Sequence, residues 1–278
     1  MLYRGMDRAA LDAAYNNTVA IGNARRDQYM AGWVARSEAL RKARPARLNL
    51  PYGDGARQRV DMFACGTPGA PTLVYIHGGY WQVNDKDPYA FVGEGLLAAG
   101  FNLALMEYTL APTARLDQIV AEVRAAVAWV ISHAKEHGGD PGRVFVSGHS
   151  AGGHLTAMAM DNPRVAGGVA ISGIYDLEPI RLNYLNDKLG LDAAEAARNS
   201  PMRHLRSEAG PLVVTVGLGE RHELIRQSEE YAAAWKQRGL RGRYLPVPKH
   251  DHFSILEELA QPQGTIFRAL KEMAFSRG

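Results

Sequence analysis

The sequence predicts an α/β fold: a mostly parallel central sheet flanked by helices on both faces. Three observations carry that expectation. Short apolar runs alternate with longer segments of helical spacing from residue 47 onward, the rhythm of strands linked by crossover helices. The composition, 46% hydrophobic and 22% charged over 278 residues, is that of a globular chain long enough to bury a sizeable core. Finally, there is no internal repeat, low-complexity stretch or Gly/Ser linker to divide the chain, so a single domain over 1–278 is expected.

The first 45 residues lack strand runs and place Leu11, Ala14 and Tyr15, then Tyr29, Met30, Trp33 and Leu40, at helical spacing. They read as a helical N-terminal extension over 1–45. Seven strands are then expected at 58–63, 71–76, 101–107, 143–147, 165–172, 211–217 and 242–247. Helical patterns lie at 89–99, 116–137, 152–160, 223–238 and 262–275. The segment 175–206 breaks the rhythm, being too long for a simple loop and only weakly helical, and reads as a short cap or lid insertion.

Charge and cysteine usage narrow the function. Lys+Arg 32 against Asp+Glu 29 gives a net charge of +3, and the one basic cluster, at 41–47, reads as a solvated helix end, so no nucleic-acid partner is expected. The single Cys65 excludes an intramolecular disulfide and a thiolate metal site, and no base accompanies it in its Gly/Pro-rich turn. The first residues have no apolar signal core, and no stretch approaches the roughly 18 apolar residues that span a bilayer. A cytoplasmic protein with no membrane partner is expected. No G-x-G-x-x-G follows the first strand, and P-loop and H-E-x-x-H motifs are lacking, so no cofactor is expected. His149 and His154 have no third ligand in register, so no metal is expected either.

Gly148-His149-Ser150-Ala151-Gly152 fits G-x-S-x-G where the strand Val144-Phe145-Val146-Ser147 must turn into a helix. The glycines leave room for a sharp turn that holds the Ser150 hydroxyl out as a nucleophile. Upstream, His77-Gly78-Gly79-Tyr80-Trp81 follows the strand Leu73-Val74-Tyr75-Ile76 and reads as an oxyanion loop, with Gly78 or Gly79 donating backbone N–H together with Ala151. A serine needs a general base. The chain order nucleophile, acid, histidine leaves His204, His222, His250 and His252, and the loop after the last strand favours His252. The acid should follow the preceding strand, which points to Glu220, with Asp176 and Glu223 as alternatives. Tyr80, Trp81, His149 and Tyr175, with the insertion up to Tyr184, are candidate pocket walls. His77 and His154 read as structural or pocket-lining.

With these residues in place the chain resembles the α/β-hydrolase superfamily and, within it, the arylformamidase (kynurenine formamidase) type. The likeness runs through His77-Gly78-Gly79-Tyr80-Trp81-Gln82, Leu110-Ala111-Pro112, the blocks around Ser150, Ser172-Gly173-Ile174-Tyr175-Asp176, Arg198-Asn199-Ser200-Pro201, Arg226-Gln227-Ser228 and Asp251-His252-Phe253. It implies an α/β-hydrolase fold, Ser150 as nucleophile, Glu220 at the acid position and His252 as base. One departure is that the family more often carries Asp where this chain has Glu220. The expected activity is a metal-independent serine hydrolase acting on a small-molecule N-formyl aryl amide through an acyl-enzyme. The alternatives are a broad carboxylesterase or thioesterase for small acyl esters and, more remotely, a non-catalytic binding protein on the same fold.

Overall fold

The computed structural model describes residues 1–276. Eight strands form one sheet: β1 (Ala46–Pro51), β2 (Arg59–Phe63), β3 (Ala70–Ile76), β4 (Asn102–Met106), β5 (Gly139–His149), β6 (Gly167–Ile171), β7 (Leu212–Gly217) and β8 (Gly242–Val247), in the order β1-β2-β4-β3-β5-β6-β7-β8. The β1·β2 and β2·β4 pairs are antiparallel and the rest parallel. The seven expected strands are present, and β1 is the addition. It is an edge strand with most of its side chains in solvent, so no apolar run marked it.

Every residue of β3, β4, β6 and β7 is buried, because both sheet faces are covered. In β3 and β4, Val74, Ile76, Ala104 and Met106 enter one core, while Leu73, Tyr75, Leu103 and Leu105 enter the other. The first core is covered by α1 (Arg8–Ala14), α5 (Leu116–His133), α6 (Ala151–Ala159) and α10 (His222–Gln237). The second is covered by α3 (Asn23–Ala43), α4 (Gly93–Ala98), α11 (Glu257–Ala260) and α12 (Thr265–Phe275). A short α2 (Asn17–Ile21) joins α1 to α3. Helix α5 shows why these segments are helical: Ile119, Val120, Val123, Ala126, Val127, Val130 and Ile131 form one apolar stripe, all buried. Each such valine or isoleucine contributes about 1.5–3 kcal/mol relative to exposure. The segment 175–206 folds as three short helices, α7 (Glu178–Arg181), α8 (Asn186–Leu189) and α9 (Ala193–Arg198), and a 3-10 turn at Pro201–Arg203.

The basic cluster at 41–47 is solvated, as expected of a helix end, at Lys42, Arg44 and Arg47, but not at Arg41. Arg41 reaches inward to Asp61, 2.7 Å away, whose side chain is wholly buried on β2 and is also met by Lys86 at 3.2 Å. A carboxylate at that depth requires such partners.

The parallel registers Ile76↔Gly148, His149↔Ile171, Ile171↔Thr215 and Gly217↔Val247 bring the carboxyl ends of β3, β5, β6, β7 and β8 to one edge. Six of the non-glycine residues with positive φ (Tyr80, Trp81, Asn84, Ser150, Ser172 and Lys249) lie in the loops leaving that edge. Backbone strain of this kind collects where surrounding structure holds a site in place.

Candidate active site

Between β5 and α6 the chain turns at Ser150, with φ 58° and ψ −118°. The flanking glycines are fixed by backbone approach. A Cβ on Gly152 would collide with the Ile76 carbonyl and lie 2.8 Å from the His77 oxygen, and one on Gly148 would strike the Gly152 backbone. The Ser150 N–H donates to the Ile171 carbonyl at 2.9 Å, which ties the turn to β6.

The loop after β3 lies directly on this turn. A Cβ on Gly78 would sit 2.7 Å from the His149 carbonyl, and Gly79 has φ 118°, where a side chain would strike the Val83 carbonyl. Neither Gly78 nor Gly79 N–H is engaged by an acceptor among the described residues. Ala151, the first residue of α6, likewise has an N–H with no acceptor inside its helix. The loop is anchored through His77, whose ring lies between the Gly78 carbonyl (2.8 Å from Nδ1) and the Glu107 carboxylate (2.9 Å from Nε2) and stacks on Tyr108. Burial pushes the Glu107 carboxyl up, but hydrogen bonds from His77 and the Lys86 N–H, with the Arg57 charge, outweigh it and hold the group below the usual carboxylate range.

On the loop after β8, His252 Nδ1 lies 2.6 Å from Glu220 Oε2, and the Glu220 side chain is completely buried. Glu220 Oε1 accepts from the Ser172 hydroxyl at 2.5 Å and from the Gly217 N–H at 2.8 Å. An ionised carboxylate only accepts, so Nδ1 carries the imidazole proton and Nε2 is left as an acceptor. The other acids lie elsewhere. Asp176 accepts from the Tyr3 hydroxyl and the Glu178 N–H, and Glu223 from the Tyr15 hydroxyl and Arg226. His250 pairs with Glu258 at 3.1 Å.

Ser150 and His252 line one cavity of about 240 Å³, together with Gly78, Gly79, Tyr80, His149 and Tyr184. No hydrogen bond joins the Ser150 hydroxyl to His252 among the described residues, and such bonds commonly tighten only once substrate is bound. His149 packs 4.5 Å from the His252 ring, and burial, together with that neighbour, holds its imidazole well below the usual histidine range.

Two expected pocket walls are corrected. Trp81 and Tyr175 are wholly buried and do not line this cavity. The Trp81 N–H donates to His154 Nδ1 at 3.2 Å, and Tyr175 stacks on Tyr231 at 4.2 Å, so both rings spend their area on the core. In their place come residues that sequence reasoning missed: Asn17, Arg26, Met30 and Trp33 of the N-terminal helices, with Phe253. Met30 and Trp33 were legible only as part of the helical spacing of the N-terminal extension, and no signal singled out Asn17 or Arg26.

The model of the BD-FAE family matches residues 64–165. The chain is 32% identical to the kynurenine formamidase of Danio rerio over 252 residues, covering 85% of each chain, and 33% identical to that of Salmo salar over 253 residues, again 85% of each. Among solved structures, a protein of Silicibacter sp. TM1040, provisionally assigned as a thioesterase, is 31% identical with a TM-score of 0.85, covering 94% of this chain and 98% of that one. An esterase of Pyrobaculum calidifontis shares the fold, at 19% identity and a TM-score of 0.74 over 91% and 92% of the chains.

Proposed function

Because the chain belongs to the kynurenine formamidase family of the α/β-hydrolases, and is a hydrolase of small acyl substrates, we propose that it cleaves an N-formyl aryl amide through Ser150, His252 and Glu220. The observation that carries this reading is the cavity shared by Ser150, held in a strained turn, and His252, whose Nδ1 is bound to a buried carboxylate.

Ser150 Oγ attacks the formyl carbon while His252 Nε2 takes its proton. The carbonyl oxygen becomes an oxyanion facing the N–H groups of Gly78 or Gly79 and Ala151, which offer preorganised donors. His252 then protonates the leaving nitrogen, the arylamine departs, and a formyl ester remains on Ser150. Water, deprotonated by His252, attacks that ester, and formate leaves as Oγ recovers its proton. Glu220 holds the imidazole in the required tautomer and stabilises its positive charge between transfers. Residues 1–278 act as one domain in this reading. The 1–45 extension and the 175–206 cap close over the sheet edge, as the lining positions of Asn17, Tyr184 and Leu185 support.

The likeness to the Silicibacter protein favours a second reading, a carboxylesterase or thioesterase using the same residues. Formate release from N-formylkynurenine, measured beside p-nitrophenyl acetate hydrolysis in EDTA, separates the two through their kcat/KM ratio. Ser150→Ala should lower both by at least about 10⁴-fold. Full activity in that variant would end the proposal, and ester cleavage without formamide cleavage would move the protein to the second reading.

A further inference from the structure

His149 is the last residue of β5, directly before Ser150, and none of the steps above uses its side chain. It lines the same cavity as Ser150 and His252, is only 4% exposed, and its Nε2 is buried with no hydrogen-bond partner among the described residues. The ring borders both halves of the reacting centre. Nδ1 lies 3.5 Å from the point a Cβ would occupy on Gly78, in the oxyanion loop, and the ring centre lies 4.5 Å from that of His252, tilted by 44°. Burial, then the His252 charge, keep the imidazole uncharged at neutral pH, against a weaker opposing pull from the His252 backbone. A neutral imidazole has one N–H and one bare nitrogen, so His149 can accept a hydrogen bond here without acting as a base. A polar atom left unpaired at this depth is costly, and beside a nucleophile it marks a contact that substrate completes.

Amides and esters make different demands of the wall beside His252. To depart, the atom carrying the aryl group must aim a lone pair at His252 Nε2. An ester oxygen has two lone pairs and no hydrogen, so either pair serves. Once the carbonyl carbon is tetrahedral, a secondary amide nitrogen has one lone pair and one N–H, and turning the pair toward His252 swings the N–H into the cavity wall. Its acceptor must lie within hydrogen-bond reach of the nitrogen that His252 protonates, hence beside the His252 ring. Glu220 occupies the Nδ1 side of that ring and Phe253 offers no acceptor, whereas His149 does.

We propose that His149 Nε2 accepts the scissile N–H while His252 gives its proton to the same nitrogen, which makes His149 a catalytic residue for amides and leaves it idle for esters. The nitrogen lone pair takes the proton from His252, the C–N pair departs with the nitrogen as the carbonyl of the formyl ester re-forms, and the hydrogen that His149 accepts stays on the amine. Because the bond forms only as the nitrogen turns pyramidal, it acts on kcat rather than KM. This deepens the function proposed above and rests on it.

Formanilide and phenyl formate share acyl group and ring and differ only in the leaving atom, so the ratio of their kcat values, corrected for spontaneous hydrolysis, tests the role of His149. His149→Leu should lower the formanilide to phenyl formate ratio by about 10–100-fold through kcat. His149→Gln, which can place its amide oxygen where Nε2 was, should recover most of that ratio, and His149→Asn, whose shorter side chain reaches only to the place of Nδ1, should not. The wild type alone gives a second measurement. N-Methylformanilide, which has no N–H, should turn over at least about tenfold more slowly than formanilide, each relative to its rate in hydroxide. If leucine disables both reactions, the two anilides decide. A ratio unchanged by His149→Leu, a loss confined to KM, a glutamine no better than leucine, or equal turnover of the two anilides would overturn the role of His149 and leave the proposed function standing. Cleavage of phenyl formate with none of formanilide by the wild type would overturn both.

Discussion

Ser172 donates to Glu220 Oε1 at 2.5 Å, while the other oxygen of the same carboxylate faces His252. The two residues leave the ends of neighbouring strands, β6 and β7, and Ser172 adopts φ 51° to make the contact. Glutamate is one methylene longer than aspartate, and its extra reach is absorbed by pinning Oε1 between the Ser172 hydroxyl and the Gly217 N–H. Glu220→Gln should therefore lower kcat by about 10³–10⁴-fold with little change in KM, because an amide cannot hold the imidazole in the same tautomer. Steady-state kinetics with a phenyl ester decides it, and a loss below tenfold would count against the role of Glu220.

Ser172→Ala makes a graded version of the same test. It removes one charge-assisted hydrogen bond but leaves the Gly217 N–H, so kcat should fall roughly tenfold, well short of the Glu220→Gln effect. A variant as damaged as Glu220→Gln would mean that Ser172 does more than position the carboxylate.

The pH dependence of stability should carry a signature of His154. Its Nδ1 accepts from the Trp81 N–H and its Nε2 donates to the Asn199 carbonyl, so the neutral ring is fully bonded. Burial, aided by the Arg124 charge and opposed by the Asn199 bond, pushes its pKa down to about 4. The unfolded chain takes up this proton near pH 6.5 and the folded one only near 4, so stability falls as pH drops through that window. The contribution is about 2 kcal/mol between pH 7 and pH 5. Urea denaturation at the two values should show it, and His154→Gln, which can accept from Trp81 and donate to Asn199 without titrating, should flatten the slope by about that amount.

The parts of this molecule legible in the sequence were those enforced by short-range geometry. Gly148 and Gly152 are forced by backbone contact with β3 and the start of α6, so their spacing around Ser150 announces the turn. The buried strands announce themselves because both faces are covered. Strand β1 did not, since an edge strand in solvent leaves no apolar run. Nor did the far wall of the cavity, because nothing near Asn17 or Arg26 says where their helices dock. That is settled by contacts such as Tyr15 with Glu223 and Tyr184 N–H with Asp12, more than 170 residues apart in sequence. Trp81 was misread for a related reason: an aromatic beside a catalytic-looking loop fits pocket and core equally until its N–H partner is known.

Two glycines with opposite surroundings give the sharpest stability contrast. Gly32 lies on the exposed side of α3 with nothing within 4 Å of a Cβ built on it, and its φ is not in the left-handed range. Gly32→Ala should stabilise the protein by about 0.5–1 kcal/mol, through the lower entropy of the unfolded chain. At Gly152 the same methyl group would collide with the Ile76 carbonyl, which is part of the β3 ladder and has nowhere to go. Gly152→Ala should cost about 3 kcal/mol or more, the upper end of overpacking, and should displace Ser150 from its cavity. Urea denaturation gives the two free energies, and fluorophosphonate labelling of Ser150 reports whether the turn survives. An alanine at 152 that kept both stability and labelling would show that the close approach of β3 does not set this turn.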